Sequence, residues 1–231
     1  MIFSTVDPST SGPDPSDTFR ELRRRMVAEQ LAASGIRDPR VLAAMSEVPR
    51  EEFVPDELRG NAYDDGPLPI GRGQTISQPF TVAIMSELAQ LDGQECVLEI
   101  GTGSGYGAAV LGRLAKEVHT VERIGWLADR ARGKLRELGY DNVQVHTSDG
   151  TLGWPAGAPY SAIVVTAAAP QLVAALVAQL ADGGRLVIPI DDGSSGQTMY
   201  RYTNQHGHLR RESFGRFMFV PLVTSRRQVD P

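Results

Sequence analysis

A glycine-rich stretch directly after a short apolar run is the part of the sequence best suited to chemistry. Val97-Leu-Glu-Ile100 has the character of a buried strand, and glycines follow at 101, 103 and 105 before a helical pattern begins at Tyr106. Alternating glycines let the backbone turn tightly and let a ligand lie against it, while the following helix N-terminus offers free amides. The pattern therefore predicts a site for a nucleotide-like cofactor.

Two cofactor classes use such a loop. Dinucleotide-binding proteins carry G-x-G-x-x-G or a variant ending in Ala, and Gly103-Ser-Gly-Tyr-Gly-Ala108 fits that frame only loosely. The frame E-x-G-x-G-x-G, which starts at Glu99, resembles the first motif of S-adenosylmethionine-dependent methyltransferases, in which the acidic residue lies beside the methionine moiety of the cofactor. The loop residues that this frame makes candidate cofactor contacts are Gly101, Thr102, Gly103, Ser104 and Gly105.

Acidic residues at the ends of the next two predicted strands separate the alternatives. Glu122 ends a strand about 20 residues after the first glycine, where a carboxylate can accept hydrogen bonds from both ribose hydroxyls in either cofactor class. Asp149 and Gly150 follow the third strand and resemble the methyltransferase position that meets the adenine amino group. Acidic residues at the ends of three successive predicted strands, Glu99, Glu122 and Asp149, together favour S-adenosylmethionine.

The elements that must position these residues alternate between strand and helix after Pro79. Several predicted strands are near-continuous apolar runs, as expected when helices cover both faces of a parallel sheet. Alternating residues after 197 predict an antiparallel hairpin at the end of the chain. We predict an α/β fold, a doubly wound and mostly parallel Rossmann-like sheet with an N-terminal helical cap and a C-terminal antiparallel hairpin. The predicted elements are helices 79–90, 105–115, 125–138 and 170–181, strands 95–100, 118–122, 142–147, 161–166 and 184–190, and hairpin strands 197–203 and 208–222.

The chain divides by composition into a tail and one domain. Residues 1–16 are rich in Ser, Thr, Pro and Asp and predict a disordered tail, whereas 17–231 form a single domain. Within that domain we predict a cap and a substrate and cofactor loop over 17–78, a cofactor-binding core over 79–190 and C-terminal strands over 191–231. The cap has two helices, one capped at Asp17 and ended near Gly35, and one that starts at Asp38 with Pro39 in its first turn. The connection 54–79 shows no clear period, and its mixture of apolar and polar residues indicates a functional loop.

From about residue 22 to 222 the chain resembles the protein-L-isoaspartate(D-aspartate) O-methyltransferases. The most diagnostic stretch is Gly73-Gln-Thr-Ile-Ser-Gln-Pro79, since the glycine motif is shared by many methyltransferases. Other resembling stretches are Gly35 to Met45, Val48-Pro-Arg-Glu-Glu-Phe-Val-Pro55, Ala62-Tyr63, Leu68-Pro-Ile-Gly71, Leu98 to Tyr106, Thr120-Val-Glu-Arg123, Gly153-Trp-Pro155, Ala158-Pro-Tyr160 and Val165-Thr-Ala-Ala-Ala-Pro170. Two departures are modest: Ser148 and Ser161 stand where the family more often has Gly and Asp.

The resemblance implies methyl transfer from S-adenosylmethionine to the free carboxylate of L-isoaspartyl residues, and less well of D-aspartyl residues, in damaged proteins, with S-adenosylhomocysteine as the product. It implies that Ser77 is the active-site serine, whose hydroxyl can donate to a substrate carboxylate. A serine that only closes a turn before the Pro79 helix is the simpler alternative. The further cofactor contacts that the resemblance implies are Gln74, Thr75, Ile76 and, with little local sequence to align, Gln228.

Composition restricts the partners. The chain has 23 basic and 28 acidic residues, a formal net charge of −5, which argues against a surface that mainly binds nucleic acid. No apolar run approaches the roughly 20 residues of a membrane-spanning helix, and the N-terminus lacks the layout of a signal peptide. The one cysteine, Cys96, cannot form an intramolecular disulfide, so we expect a cytoplasmic protein in which Cys96 packs in a strand. We also expect a monomer.

Competing functions leave weaker traces. A small-molecule or nucleic-acid methyltransferase would share the cofactor loop, but the strand end Val165-Thr-Ala-Ala lacks the Asn/Asp-Pro-Pro-aromatic motif used on extruded bases. A binding-only relative should lack an intact substrate loop. His206 and His208 could ligate a metal, yet their setting predicts a plain hairpin turn, so no metal site is expected. Aromatic residues between Arg211 and Phe219 faintly resemble an RNA-binding strand, but packing in an edge strand explains them better.

Overall fold

The N-terminal cap consists of two helices. The computed structural model describes residues 15–191, 193 and 196–223. Helix α1, Pro15–Arg25, continues without a break into a π-helical segment, Met26–Ala32, and α2 spans Pro39–Glu47. The predicted cap of the second helix is confirmed, because the Asp38 side chain accepts a hydrogen bond from the amide of Arg40 and Pro39 fills the first turn.

The first helix begins earlier than its sequence predicts. Asp17 lies inside α1 and its carboxylate accepts a hydrogen bond from Arg20 instead of capping the helix. The last two residues of the predicted tail therefore open this helix, and residues 1–14 lie outside the described part of the chain.

The connection between cap and core is more structured than predicted. Two 3-10 helices, Arg50–Phe53 and Asp56–Asn61, precede a short antiparallel hairpin made of β1, Leu68–Gly71, and β2, Gln74–Ile76. The prediction of an aperiodic loop was wrong for this hairpin, because strands of three or four residues are too short to show alternation.

A seven-stranded sheet forms the core. Its strand order is β5-β4-β3-β6-β7-β8-β9, with parallel pairing from β5 to β7 and antiparallel pairing from β7 to β9. This arrangement confirms the predicted mostly parallel sheet with a C-terminal antiparallel hairpin. The strands are β3 Cys96–Ile100, β4 Glu117–Glu122, β5 Val143–Thr147, β6 Tyr160–Val165, β7 Leu180–Ile190, β8 Gln197–Gln205 and β9 His208–Phe217, and the remaining helices are α3 Pro79–Ala89, α4 Tyr106–Leu114, α5 Gly125–Glu137 and α6 Ala174–Val177.

Two C-terminal predictions need correction. The helix predicted over 170–181 is only the single turn α6, because Leu180 already pairs with Tyr160 as the start of β7. The last predicted strand ends at Phe217 instead of 222. Residues 220–222 pair with Ala168, whose amide donates to the carbonyl of Val220 and whose carbonyl accepts from the amide of Leu222. Tertiary pairing overrides local preference at both places.

The two faces of the sheet bury different sets of side chains. One face packs against α3, α4, α5 and the cap in a continuous apolar cluster that includes Val97, Val118 and Val164. The other face buries Leu98, Ile163 and neighbouring apolar residues under α6 and the residues that precede it. The predicted burial of both faces is thus confirmed. Among the helices described here, none is long and apolar enough to cross a membrane.

Candidate active site

The glycine loop leaves β3 at the point where the sheet order reverses. Strand β3 has β4 on one side and β6 on the other, so the loops after β3 and β6 diverge and leave a crevice at the carboxyl ends of the strands. Gly101 has a φ of +98°, and a Cβ there would collide with the hydroxyl of Thr166 at the end of β6. That hydroxyl donates to the carbonyls of Ile100 (3.0 Å) and Gly101 (2.8 Å). Glycine is therefore required at 101 both for its conformation and for its space.

Glu99 lies buried at the end of β3, under the glycine loop. Its carboxyl accepts a hydrogen bond from the Thr120 hydroxyl (2.6 Å), which in turn lies 2.6 Å from the Thr102 hydroxyl. Burial raises the pKa of Glu99 to about 8, and the nearby Glu122 carboxylate adds to the rise while the Thr120 hydrogen bond opposes it. Without a cationic partner, Glu99 is therefore largely protonated at neutral pH.

Glu122 stands at the end of β4 beside the loop. One carboxylate oxygen accepts from the amide of Gly103 (3.0 Å) and the other from the amide of Ile124 (2.9 Å). Each oxygen keeps lone-pair capacity for a further donor. The side chain is thus fixed at the edge of the crevice, with both oxygens able to accept hydrogen bonds from neighbouring hydroxyls.

The β1–β2 hairpin brings a second loop to the same crevice. Gln74, Thr75 and Ile76 form β2, and Ser77 follows immediately before α3 begins at Pro79. Gln78, at the cap position of α3, makes no capping bond and instead donates to Asp65 (2.6 Å). Within the described part of the chain, the Ser77 hydroxyl makes no hydrogen bond, so it does not close a turn and is available to a ligand.

These elements line a cleft that is open to solvent. Its lining includes most of the residues predicted from the sequence, together with the C-terminal segment that follows β9. The predicted residues that line it are Gln74, Thr75, Ile76, Ser77, Glu99, Gly101, Thr102, Gly103, Ser104, Glu122 and Gly150.

Of the remaining predicted residues, two are placed differently and one lies outside the described residues. Gly105 is the residue before α4, with a φ of +94°, and a Cβ there would crowd Ala131 and Leu135. Asp149 accepts hydrogen bonds from the amide (2.9 Å) and hydroxyl (2.7 Å) of Thr151, so its carboxylate caps the short helix that starts at Gly150. Gly150 lines the cleft, and Asp149 is not among the lining residues. Gln228 lies outside the described residues.

Some lining residues escaped the sequence analysis. Thr166 and Ala167 come from the end of β6, Tyr106 and Gly107 from the first turn of α4, and Val223 from beyond the last predicted strand, 208–222. Thr166 had a usable signal, since it is the first polar residue after a buried strand that neighbours the glycine-loop strand. Tyr106 had none, because an aromatic residue at the start of a helix more often indicates core packing.

The cleft has the chemical groups that S-adenosylmethionine requires. Glu122 offers acceptors for a ribose, and Glu99 offers a carboxyl to a cationic amino group. The apolar side chains of Ile76, Val82 and Ile124 line the same cleft and can cover an aromatic base. The residues present therefore fit this cofactor, and the fold and site together define an S-adenosylmethionine-dependent methyltransferase.

Comparison with known proteins specifies the family. Residues 22–227 match the family described as protein-L-isoaspartate(D-aspartate) O-methyltransferase (PCMT). The sequence is 56% identical to protein-L-isoaspartate O-methyltransferase 1 of Rhodopseudomonas palustris strain HaA2, over 91% of this chain and 86% of that protein. It is 54% identical to protein-L-isoaspartate O-methyltransferase 2 of Pelobacter propionicus, over 90% of this chain and 94% of that protein. The chain belongs to the PCMT family.

Solved structures agree with this assignment. A protein-L-isoaspartate O-methyltransferase structure superposes with a TM-score of 0.77 at 30% identity, and the match spans 87% of this chain and 65% of that one. A Plasmodium falciparum chain solved in complex with S-adenosyl-L-homocysteine superposes with a TM-score of 0.76 over 87% of this chain and 98% of that chain. At 24% identity the second likeness supports the fold alone. The predicted family and fold are confirmed.

Proposed function

We propose that this protein transfers the methyl group of S-adenosylmethionine to the free carboxylate of L-isoaspartyl residues, and less well of D-aspartyl residues, in damaged proteins. Membership of the PCMT family, with identities above 50% to protein-L-isoaspartate O-methyltransferases over nearly the whole chain, is the observation that carries this proposal. The methyl ester then collapses to a succinimide without further help from the enzyme, and hydrolysis of the succinimide returns some normal aspartate.

The reaction needs little side-chain chemistry. A carboxylate with a pKa near 4 is ionised at neutral pH, so no general base has to create the nucleophile. The cofactor supplies an electrophilic methyl group on a sulfonium. The protein's task is to hold the carboxylate oxygen in line with that methyl group, and such alignment is worth up to roughly 7–11 kcal/mol of the barrier.

Ser77 is the residue that we assign to this alignment. Its hydroxyl has no hydrogen-bond partner within the described chain and lies in the lining of the cleft that contains the glycine loop. A hydroxyl that donates to one oxygen of the substrate carboxylate leaves the other oxygen free to attack. We expect Ser77 to orient the nucleophile without taking a proton from it.

Cofactor binding is assigned to the remaining loop and strand-end residues. Glu122 is assigned to the ribose hydroxyls, Glu99 to the methionine moiety, and the Asp149–Gly150 strand end to the adenine. We propose further contacts from the substrate loop, the glycine loop and the C-terminal segment. These are Gln74, Thr75, Ile76, Gly101, Thr102, Gly103, Ser104, Gly105 and Gln228.

The proposed partners are age-damaged proteins and peptides. We propose recognition mainly through backbone groups of loop 68–78 and of the segment 216–222, whose course over Ala168 brings Val220, Pro221 and Leu222 to the cleft. The acidic balance supports a protein that binds neither nucleic acid nor membrane, and the single cysteine supports action in the cytoplasm. We propose that it acts as a monomer.

The deciding experiment compares two peptides that differ only in Asp versus isoAsp at one position. The purified protein and labelled S-adenosylmethionine should label the isoAsp peptide and leave the Asp peptide unlabelled, and a D-Asp peptide should be labelled more weakly. A second isoAsp peptide with scrambled flanks should be labelled as well as the first if recognition uses the backbone. Equal labelling of Asp and isoAsp peptides, or labelling of neither while cofactor still binds, would contradict the proposed activity.

A further inference from the structure

A cluster of metal-ligating side chains lies on the sheet face opposite the one that packs against α3, α4 and α5. Strand register creates the cluster: Cys96 of β3 is directly paired with Glu117 of β4, and His119 is the next residue of β4 on the same face. Side chains alternate between faces along a strand, so these three must point to the same side as the buried Leu98 and Ile163. The proposed methyl transfer uses none of them.

The ligand atoms of the three residues converge. The thiol sulfur of Cys96, a carboxylate oxygen of Glu117 and a ring nitrogen of His119 all lie within 4.8 Å of one another. Nε2 of His119 lies 3.4 Å from Oε1 of Glu117. His119 is 8% exposed, whereas the Glu117 side chain is 42% exposed, so a cation can reach the cluster from the Glu117 side.

The ring of His119 is already held in the orientation that a ligand requires. Its other nitrogen, Nδ1, lies 2.9 Å from Nε2 of His146, which stacks on the Trp154 ring at 3.9 Å between centroids. Tyr160 packs edge-on against His119 at 5.9 Å. When Nδ1 donates its proton to His146, Nε2 presents an unprotonated lone pair to the space shared with Glu117 and Cys96. A histidine that ligates a metal through one nitrogen is commonly fixed in this way through the other.

We propose that Cys96, Glu117 and His119 bind one Zn²⁺ ion. Thiolate, imidazole and carboxylate together form a donor set typical of zinc, and three protein ligands leave a further tetrahedral position for water. The ion joins the starts of β3 and β4 to each other on the face away from the cofactor cleft. Thr120 and Glu99 point to the opposite face, so the zinc site and the cofactor site are separate.

The test measures Zn²⁺ binding directly. The full chain, reduced and freed of metal by dialysis against a chelator, is titrated with Zn²⁺ in competition with a chromophoric zinc chelator. We expect one Zn²⁺ per chain. Cys96 is the chain's only cysteine, so Zn²⁺ should also slow its modification by a thiol reagent. Replacing Zn²⁺ with Co²⁺ should give the absorption of a thiolate-bound ion.

Matched variants identify the ligands. Cys96→Ser and His119→Gln should abolish competition with the chelator, and Glu117→Gln, on the exposed rim, keeps the test valid if either of the others fails to fold. His146→Phe should weaken Zn²⁺ binding about 10–100-fold, since it removes only the group that orients His119. The control is the double variant His206→Gln/His208→Gln, which changes the chain's other two histidines and should bind Zn²⁺ normally. Absence of stoichiometric binding, or unchanged binding in Cys96→Ser and Glu117→Gln, would overturn the proposal.

Discussion

Ser77 offers the most direct test at the scale of single residues. A hydrogen bond to a charged group is worth about 1.5–3 kcal/mol, so Ser77→Ala should lower turnover about 10- to 150-fold if the hydroxyl orients the substrate carboxylate. Cofactor affinity should stay the same, because the proposed partner of Ser77 is the substrate. Single-turnover rates together with the dissociation constant of S-adenosylhomocysteine measure the two quantities separately.

Ser104→Ala is the matched control for Ser77→Ala. Both serines line the cleft, but Ser104 belongs to the glycine loop, where its hydroxyl accepts a hydrogen bond from the amide of Tyr106 (3.4 Å). Its loss should weaken cofactor binding more than it slows turnover. If Ser77→Ala weakened cofactor binding and left the single-turnover rate intact, the assigned role of Ser77 would be wrong.

Glu99 predicts a pH dependence of stability. Its pKa is about 8 in the folded, cofactor-free protein and near 4.5 in the unfolded chain, because burial disfavours the carboxylate. Between these values the folded state holds the extra proton, so the free energy of unfolding falls as pH rises, by at most about 1.4 kcal/mol per pH unit from this group. Denaturant unfolding of the cofactor-free protein should therefore show lower stability at pH 8 than at pH 6.

Glu99→Gln isolates this contribution from those of other titrating groups. The amide can still accept the hydrogen bond from Thr120 but does not titrate, so the stability difference between pH 6 and pH 8 should shrink in the variant. An identical pH dependence in the two proteins would show that Glu99 does not carry a raised pKa.

At the scale of elements, Arg50 links the cap to the cofactor loop. The guanidinium is fully buried, its Nε donates to the carbonyl of Ala62 (2.7 Å), and its centre lies 5.0 Å from the centroid of the Tyr106 ring. Burial lowers the pKa of Arg50, and its two terminal nitrogens have no hydrogen-bond partner among the described residues. Tyr106 opens α4 directly after the glycine loop and also packs edge-on against Phe53.

Arg50→Ala should therefore destabilise the protein by about 2–5 kcal/mol, since it removes a large buried side chain and leaves a cavity beside Tyr106. Loosening of Tyr106 should also weaken cofactor binding. Arg50→Met, which fills much of the space without a charge, should restore most of the stability, because an incompletely paired buried cation contributes little. Denaturant unfolding and cofactor titration measure the two effects.

Arg113→Ala is the control for this link. Arg113 of α4 pairs with Glu47 of α2 at 2.7 Å, between the same two parts of the protein, but both side chains are about half exposed. Such a pair contributes less than about 1 kcal/mol. If Arg50→Ala and Arg113→Ala lowered the free energy of unfolding equally, the buried contact of Arg50 with Tyr106 would not be the main link.

Strands and helices with long sequence patterns were predicted well, and those with short patterns were missed. Strands β3, β4 and β6 are continuous apolar runs or end in acidic residues, and the sequence placed each within about two residues. The β1–β2 hairpin escaped because its pairing is only three residues long and contains an irregularity between Pro69 and Gly71. Helix α6 was overestimated because Leu180 pairs with Tyr160 as the start of β7, so the chain leaves the helix early.

Site residues could be predicted where the local backbone requires them, and could not be predicted where contacts between distant segments place them. Gly101 and Glu122 carry their reasons in the sequence, since one needs a positive φ and the other sits at a strand end. Tyr106 joins the lining of the cleft without such a signal, because its ring packs against Arg50 and Phe53 from a distant segment. The convergence of Cys96, Glu117 and His119 likewise depends on strand register, which no local pattern in these strands specifies.

At the scale of the whole molecule, one apolar cluster joins the cap to the sheet. It contains Met26 and Leu31 from the first helical segment, Leu111 of α4 and Val118 of β4 without interruption. The lining of the cleft comes both from the connection that follows the cap and from the loops at the ends of the sheet strands. Both parts of the chain are therefore needed to form the cleft. The cap and the core should therefore unfold together, in one transition.

S-adenosylhomocysteine, the product formed from the cofactor, should stabilise the cap and the core together. At a concentration 100 times its dissociation constant, a ligand of the folded state adds about 2.7 kcal/mol, and for a chain of this size that shifts Tm by about 5–10 °C. Calorimetry with S-adenosylhomocysteine should show one transition that moves by this amount, because the proposed cofactor contacts come from the cap connection and from the core together. NAD⁺ is the matched control, since it shares the adenosine but requires the dinucleotide frame that the glycine loop fits poorly, and it should leave Tm unchanged. An equal shift with NAD⁺, or a second transition that does not respond to S-adenosylhomocysteine, would mean that the cleft is not selective or that the cap folds apart from the sheet.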